Sequence, residues 1–410
     1  MARSRDGWPR PDDFAGPPDA AQRTAWSESD RSVRPARLGR LRARFAHEGI
    51  DAYFGVRREH MRYLTGFTLA EGEEKSAGNS GQFLVAGEEV VILADSRYSI
   101  QARREAPDAR LFEAYGNLPE RWPEIVGSVG ARRVGVEAGF VSHAAWERLA
   151  TAAPNVELVP VEGWIEADRA VKEPAELERV AAACAVADRA LATLLPEIRP
   201  GVTEAELALR LEWLMRTGGA EALAFDVACL SGPEAALPHG APGDRPVLDG
   251  SVLLFDFGAQ VEGYRSDMTR TLFVGEPSAR DLAVYELVSG AQAAAITAVE
   301  EAVRGGGEVP SGRAVDAIAR AVIDEAGHGD RFGHSTGHGI GLATHEAPSL
   351  GKTAPETPLP SPTVFSVEPG VYLDGEMGVR IEDLIALDAP VGRVERLTRF
   401  PSQVTVVGVG

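Results

Sequence analysis

Short apolar runs separated by polar segments fill residues 51–161: DAYFGV from Asp51, FLVA from Phe83, VVILA from Val90, RVGVE from Arg133 and ELVPV from Glu157. Runs of this length, rich in β-branched residues and bounded by turn formers, predict strands. Helical segments separate them, one following Ser96. Ahead of them Leu38, Leu41 and Phe45 draw a helical stripe along ARLGRLRARFAHEG. The alternation predicts an α/β domain over 36–168. The polar run EGEEKSAGNSGQ (71–82) reads as a loop and lacks the GxGxxG spacing of a phosphate cradle.

From EADRAVKEPAELERV onward the grammar changes. Pro174, followed by acidic residues, opens a long helix reaching Leu195. Thr203 and Glu206 form a capping box, with Gly218-Gly219 as the stop. Two more helices fit 278–304 and 311–326, and strand hairpins fill the remainder. The prediction is a second domain over 169–410 that mixes long helices with antiparallel strands, making the class α/β (α+β). Residues 1–35 mix Pro, Gly, Asp, Arg and Ser without periodicity and read as a disordered N-terminal extension.

Composition narrows the partners. The chain has 410 residues, 42 basic against 61 acidic, for a net charge of −19. That field disfavours nucleic acid and anionic membrane. Cys184 and Cys229 lie in apolar segments and read as buried reduced thiols, without a disulfide framework or a CxxC pair. No stretch reaches the ~18 apolar residues of a membrane span. The N-terminus has no apolar h-region, so the expected location is the cytoplasm.

The chemistry lies in strands that carry acid. SVLLFDFGAQVEGYRSDMTRTLFVG places Asp256 and Asp267 in apolar runs, where an ionised carboxylate is costly unless paired or metal-bound. A hairpin turning at Val261-Glu262 sets the two directly opposite, with Cβ atoms about 5 Å apart. Like charges there call for a cation, and a one-residue slip would separate them onto opposite faces. VFSVEPGVYLDGEMGVRIEDL repeats the design: it turns at Asp374-Gly375, and Glu368 and Glu382 sit symmetrically about Gly375. Between the hairpins, FGHSTGHGIGLATHEAP holds His334, His338 and His345, and its glycines argue against a helical zinc motif. One histidine with four carboxylates and no thiolate suits Mn²⁺, Co²⁺, Zn²⁺ or Fe²⁺. Two such ions, about 3.5–4 Å apart, would clamp a hydroxide between them.

LPHGAPGDRPVLDGSVLLFDFGAQVEGYRSDMTRTLFVG, HSTGHGIGLATHEAP, FSVEPGVY and GVRIEDL resemble the successive motifs of the aminopeptidase P, prolidase and methionine aminopeptidase superfamily. The resemblance covers essentially all of 170–410 and implies the pita-bread fold, a pseudo-twofold pair of α/β halves around two metals. It implies Asp256, Asp267, His338, Glu368 and Glu382 as ligands, Asp267 and Glu382 bridging, with Glu368 also handling the proton. His239 and His345 match substrate-contacting histidines, His334 a further active-site histidine, and Arg380 a supporting arginine. Tyr372 is a weaker match. MRYLTGF (61–67) and VILADSRYSIQARRE (91–105) resemble the creatinase-like N-terminal domain, which favours the proline-specific branch over methionine aminopeptidases. Creatinase itself lacks the metal set. The implied activity is that of an Xaa-Pro aminopeptidase acting on peptides with proline at position two. The implied metals are two divalent ions, Mn²⁺ first, and the implied assembly is a homodimer or tetramer. The rival readings are an Xaa-Pro dipeptidase (prolidase), a non-peptidase enzyme of the same fold, and a peptide-binding pseudoenzyme.

Overall fold

The computed structural model describes residues 7–69, 80–113 and 117–408. Most of the expected 71–82 loop lies outside them. The chain divides into two compact units, one spanning Thr24–Asp168 and the other comprising the residues before Thr24 and those from Arg169 onward.

The first unit is built from α1 (Ala20–Glu48), β1 (Ala52–Gly55), α2 (Arg58–Thr65), β2 (Gln82–Ala86), β3 (Glu89–Ala94), α3 (Ser99–Glu105), β4 (Arg110–Glu113), α4 (Leu118–Ser128), β5 (Arg133–Glu137), α5 (His143–Ala152) and β6 (Glu157–Val161). It closes on α6 (Trp164–Ala170). The strands make one mixed sheet in the order β4-β3-β2-β1-β5-β6. Strands β1, β2, β3 and β5 are buried almost throughout, which is why they read as continuous apolar runs rather than alternating ones. The edge strands are weaker signals. β4 (RLFE) is short and charged, and the sequence reading missed it. β6 carries Pro160, tolerated at an edge because no further strand needs its missing N–H. Phe54 meets Trp122 edge-on at 4.9 Å in the core beneath the sheet.

The second unit pairs α7 (Pro174–Leu194) with α8 (Glu204–Thr217). It has β7 (Ala222–Leu223), β8 (Ala228–Ser231), β9 (Val252–Phe257), β10 (Ala259–Val261), β11 (Tyr264–Arg265) and β12 (Met268–Val274). It then pairs α9 (Ala279–Arg304) with α10 (Gly312–Glu325). The remaining strands are β13 (Gly337–Gly339), β14 (Glu346–Leu350), β15 (Thr363–Val367), β16 (Gly370–Leu373), β17 (Met377–Arg380), β18 (Asp383–Asp388), β19 (Arg393–Arg396) and β20 (Val406–Val407). The two larger sheets run β20-β12-β9-β8 and β14-β13-β15-β18-β19. Helix starts follow local chemistry. Thr203 Oγ1 accepts from Glu206 N at 3.2 Å while Glu206 Oε2 accepts from Thr203 N at 2.8 Å. Ser278 and Ser311 cap α9 and α10 the same way, each accepting from the third residue on. Among the described residues α9 is the one helix long and apolar enough, by length and composition, to cross a bilayer. It is a core helix here, burying Val284, Val288, Ala295 and Val299 against the unit's sheets. Both cysteines are buried and unpaired.

The expected disorder of 1–35 does not hold for its described part. Trp8 Nε1 donates to Val406 O at 3.0 Å, and Phe14 stacks on Phe400 with ring centroids 6.4 Å apart. Arg189 donates to the carbonyls of Pro11 and Phe14 at 2.8 and 3.1 Å. Helix α1 begins at Ala20, fifteen positions before the Pro35 it contains. An internal proline removes a helical bond and crowds the preceding turn. Tertiary burial of Trp26, Leu41 and Phe45 supplies the compensation. The averaged composition hid a few aromatic anchors, and those anchors order the segment.

Candidate metal centre

The site starts from strand register. β9 and β12 pair Asp256 with Thr269 and Phe257 with Met268, so Asp256 and Asp267 are not directly opposite, as the sequence reading had them. The turn falls on Glu262-Gly263, one residue later than expected. Both residues take positive φ, 47° and 77°, as a tight two-residue hairpin requires. Arg23 holds the Glu262 carboxylate at 2.5 Å. The resulting offset is two residues, which preserves side-chain parity, so both aspartates stay on one face as diagonal neighbours. Gly258 lies between them in this register. A Cβ there would come within 2.0 Å of Ser266 O.

The second hairpin has the expected register. β16 and β17 pair Gly370 with Arg380, and β15 and β18 pair Val367 with Asp383, on one common register that sets Glu368 opposite Glu382. Both glutamates fall where the regular ladder is interrupted. Glu368 N donates instead to Thr336 O at 2.8 Å, and Glu382 N donates to Thr269 O at 3.1 Å. That last bond joins the two hairpins and brings the four carboxylates together.

His338, on β13, completes the cluster. Its Nδ1 faces Gly339 O at 3.1 Å, and a carbonyl only accepts, so Nδ1 carries the proton. Nε2 then points into the acids, 3.3 Å from Glu368 Oε1 and 3.7 Å from Asp267 Oδ2. Donor atoms of Asp267, His338 and Glu382 all lie within 4.8 Å of one another.

Electrostatics shows what the cluster lacks. Burial, then Glu382, Asp256 and Glu368, pushes Asp267 well above the usual carboxylate range. Burial, then Glu368 and Asp256, does the same to Glu382. For Glu368 burial is again the largest influence, but His338, His334 and Arg380 outweigh it and hold the acid at about 2. His338 moves the opposite way, to about 9, with Glu368 and Glu382 outweighing its burial. Asp256 Oδ1 and Glu382 Oε1 are buried without any hydrogen-bond donor among the described residues. Orphaned carboxylate oxygens beside further acids and an imidazole nitrogen aimed at them fit divalent cations of the mixed N/O type.

Around the donors lies a second set of polar contacts. Arg380, 3% exposed, donates to Asp256 Oδ2 at 2.6 Å, to the Tyr372 hydroxyl at 2.8 Å and to Thr269 Oγ1 at 3.0 Å. His334 is fully engaged: Nδ1 meets Ser335 O and Nε2 meets the Tyr372 hydroxyl, each at 2.8 Å. His345 places its ring 4.2 Å from that of His338, and burial, then His338, lowers its pKa. His239 is exposed and close enough to contribute to the lowered basicity of His334 and His345. Tyr372 is thus more central than the sequence suggested. Thr269 and Ser366 went unnoticed. Thr269 Oγ1 donates to Glu382 Oε2 at 2.9 Å, and Ser366 Oγ donates to Glu368 Oε1 and accepts from His338 N, both at 3.0 Å. Each lies two positions from an acid on the same strand face, Thr269 after Asp267 and Ser366 before Glu368. Period-two reading could have found them.

The loop carrying His345 is anchored from beneath. Glu346 takes ion pairs from Arg169 and from Lys172, the latter at 2.9 Å, and accepts from Ala343 N at 3.3 Å. All three charged side chains are buried.

Comparison with known proteins follows the same division. Residues 37–171 match the Creatinase/Prolidase N-terminal domain, and residues 178–389 match metallopeptidase family M24. An Xaa-Pro dipeptidase of Pyrococcus horikoshii is 32% identical over 342 residues, covering 82% of this chain and 90% of the relative. The solved Xaa-Pro dipeptidase from Bacillus anthracis superposes with a TM-score of 0.82 at 34% identity, covering 91% of this chain and all of that one. The X-Pro aminopeptidase from Thermotoga maritima superposes with a TM-score of 0.76, also at 34% identity, over 88% of this chain and 98% of that one. With its creatinase-type N-terminal domain and its pita-bread domain, this chain belongs to metallopeptidase family M24.

Proposed function

We propose that this protein is a metal-dependent Xaa-Pro dipeptidase that hydrolyses the bond between an N-terminal residue and a following proline. The observation that carries the reading is the cluster of four carboxylates and His338, two of whose carboxylate oxygens are buried without a donor among the described residues. It occurs in a chain similar along most of its length to relatives named Xaa-Pro dipeptidase. The aminopeptidase reading favoured by the sequence motifs becomes second, supported by the likeness to the Thermotoga enzyme.

In this reading Asp256, Asp267, His338, Glu368 and Glu382 would hold two divalent ions, Mn²⁺ by preference, whose chemistry would be to lower the pKa of water and to polarise a carbonyl. Arg380 orients Asp256 and supplies a fixed positive charge beside the acids. Ser366 orients Glu368, which takes the proton of the attacking water and passes it to the departing proline nitrogen as the C–N bond breaks. Exposed His239 and His345 face the incoming peptide and donate to its carbonyl oxygen as negative charge develops there. His334 and Tyr372 support Arg380 through one chain of hydrogen bonds.

The test is digestion by Mn²⁺-loaded protein of an Xaa-Pro dipeptide, an Xaa-Pro-Yaa-Zaa tetrapeptide and a matched dipeptide with alanine second. Cleavage of the Xaa-Pro dipeptide alone is expected. Release of one residue from the tetrapeptide establishes the second reading, and an intact panel with metal bound refutes both.

A further inference from the structure

The segment joining β8 to β9 carries His239, and its own side chain does not hold that histidine in place. Among the described residues the exposed His239 ring makes no hydrogen bond or ion pair. Where it lies therefore follows from the backbone of residues 232–242. We propose that Glu204, the first residue of α8, is the positioning residue for His239, a proposal that rests on the reading of His239 as a group facing the substrate carbonyl.

Both ends of the segment meet this one carboxylate. Glu204 Oε1 accepts from Ser231 N at 2.7 Å and from Ser231 Oγ at 2.8 Å, and Oε2 accepts from Gly243 N at 3.2 Å. The carboxylate thus closes the loop at its neck. The start of α8 adds to the grip, because its first N–H groups have no partner within the helix. Glu204 N donates to Arg245 O at 3.1 Å, and Ala205 N donates to Gly243 O at 3.0 Å.

The farther part of the loop rests against the second hairpin. Gly378, on β17, lies so close that an added Cβ would come within 1.9 Å of Ala235 O. Arg380 Nη1 reaches Pro238 O, the carbonyl directly before His239, at 3.5 Å. A neck held by Glu204 and a middle seated on β17 together set the backbone at 239.

Glu204 is 1% exposed, and burying a carboxylate is costly unless hydrogen bonds offset it. Arg245 Nε comes only to 4.0 Å, while its Nη2 donates to Glu234 Oε1 at 2.6 Å. The three donors from Ser231 and Gly243 are what stabilise the acid. A carboxylate suits this place because it offers two acceptor oxygens and no donor, so one side chain takes N–H groups from both ends of a loop.

Glu204→Gln tests the proposal with one atom changed. The amide keeps an acceptor for Ser231 but sets an NH₂ against the Gly243 N–H, which opens the neck. With the Mn²⁺-loaded full chain and the Xaa-Pro peptide it cuts, kcat/KM is expected to fall about ten- to a hundredfold. Mn²⁺ affinity should stay at the wild-type value. In a His239→Ala background the same substitution should change kcat/KM less than about twofold, because the group it positions is already gone. Equal losses in both backgrounds, or weakened Mn²⁺ binding, would make Glu204 a structural residue and overturn the proposal. Should the glutamine variant fail to fold, Ser231→Ala removes one donor from the same carboxylate and enters the same cycle. If the wild type cuts no Xaa-Pro peptide, the functional reading falls alone, and amide hydrogen exchange decides the clamp. Faster exchange over 232–242 in Glu204→Gln supports it, and unchanged exchange overturns it.

Discussion

Replacing Thr269 by valine removes one hydroxyl from the middle of the carboxylate cluster and leaves the side-chain shape nearly unchanged. The hydroxyl accepts from Arg380 Nε at 3.0 Å and donates to Glu382 Oε2 at 2.9 Å. Arg380 is charged, and Thr269 is fully buried, so water cannot substitute. A hydrogen bond to a charged group contributes about 1.5–3 kcal/mol and an ordinary one about 0.5–1.5 kcal/mol, so losing both costs the folded protein roughly 2–4 kcal/mol. Misorienting a ligating carboxylate also weakens metal affinity by about 10–100-fold. Thermal unfolding with and without Mn²⁺, together with competition against a chromogenic chelator, reads the two effects separately. Thr269→Ser keeps the hydroxyl and should retain metal affinity while losing only about 1 kcal/mol for the methyl group. Wild-type metal affinity and unchanged unfolding in Thr269→Val would refute the idea that this hydroxyl organises Arg380 and Glu382.

Three further outcomes are expected. Glu346→Gln leaves Arg169 and Lys172 buried without their carboxylate, which costs about 3–5 kcal/mol in chemical denaturation. Burial resists ionisation of Glu346, but Arg169 and Lys172 outweigh it and hold its pKa below the ordinary 4.5. Its stabilisation is therefore complete above pH 4.5 and lost as pH falls through the lowered value, and melting curves from pH 7 to 3 should show that acid loss flattened in the variant. Gly258→Ala drives a methyl group into the Ser266 carbonyl and against Ala224, so a loss of about 1–3 kcal/mol or more is expected in thermal unfolding, with weakened metal binding. Phe14→Ala should cost about 2–3 kcal/mol by removing the stack on Phe400; an unchanged melting temperature would return this segment to the status of a tail.

How much of this was legible depended on local chemistry. Asp374-Gly375 fixes its hairpin, Gly375 adopting φ of 71°, and the register of Glu368 against Glu382 could be read without a structure. The earlier hairpin turns at Glu262-Gly263, where a glutamate occupies a left-handed position that sequence rules do not assign to it, and the inferred pairing slipped by two. Parity survived the slip, so the aspartates still shared a face. The capping box at Thr203 announced its helix, and the helices expected over 278–304 and 311–326 start at serine caps. What stayed hidden was non-local. Residues 7–35 are ordered by contacts with Arg189, Phe400 and Val406 that composition cannot reveal. Arg380, Tyr372 and His334 form one chain of hydrogen bonds only after two strands and a loop converge.

The interrupted ladder at Glu368 and Glu382 has a consequence for how the molecule matures. Each glutamate takes its backbone partner from outside its own hairpin, and the Thr269 to Glu382 contact closes a span of 113 positions. Contacts so distant along the chain form late in folding, after local helices and turns. An immature chain consequently exposes acids singly, each a weak and unselective ligand. The full donor set arises only when both hairpins dock, so ion capture reports completed tertiary assembly and selects against binding by unfinished chains.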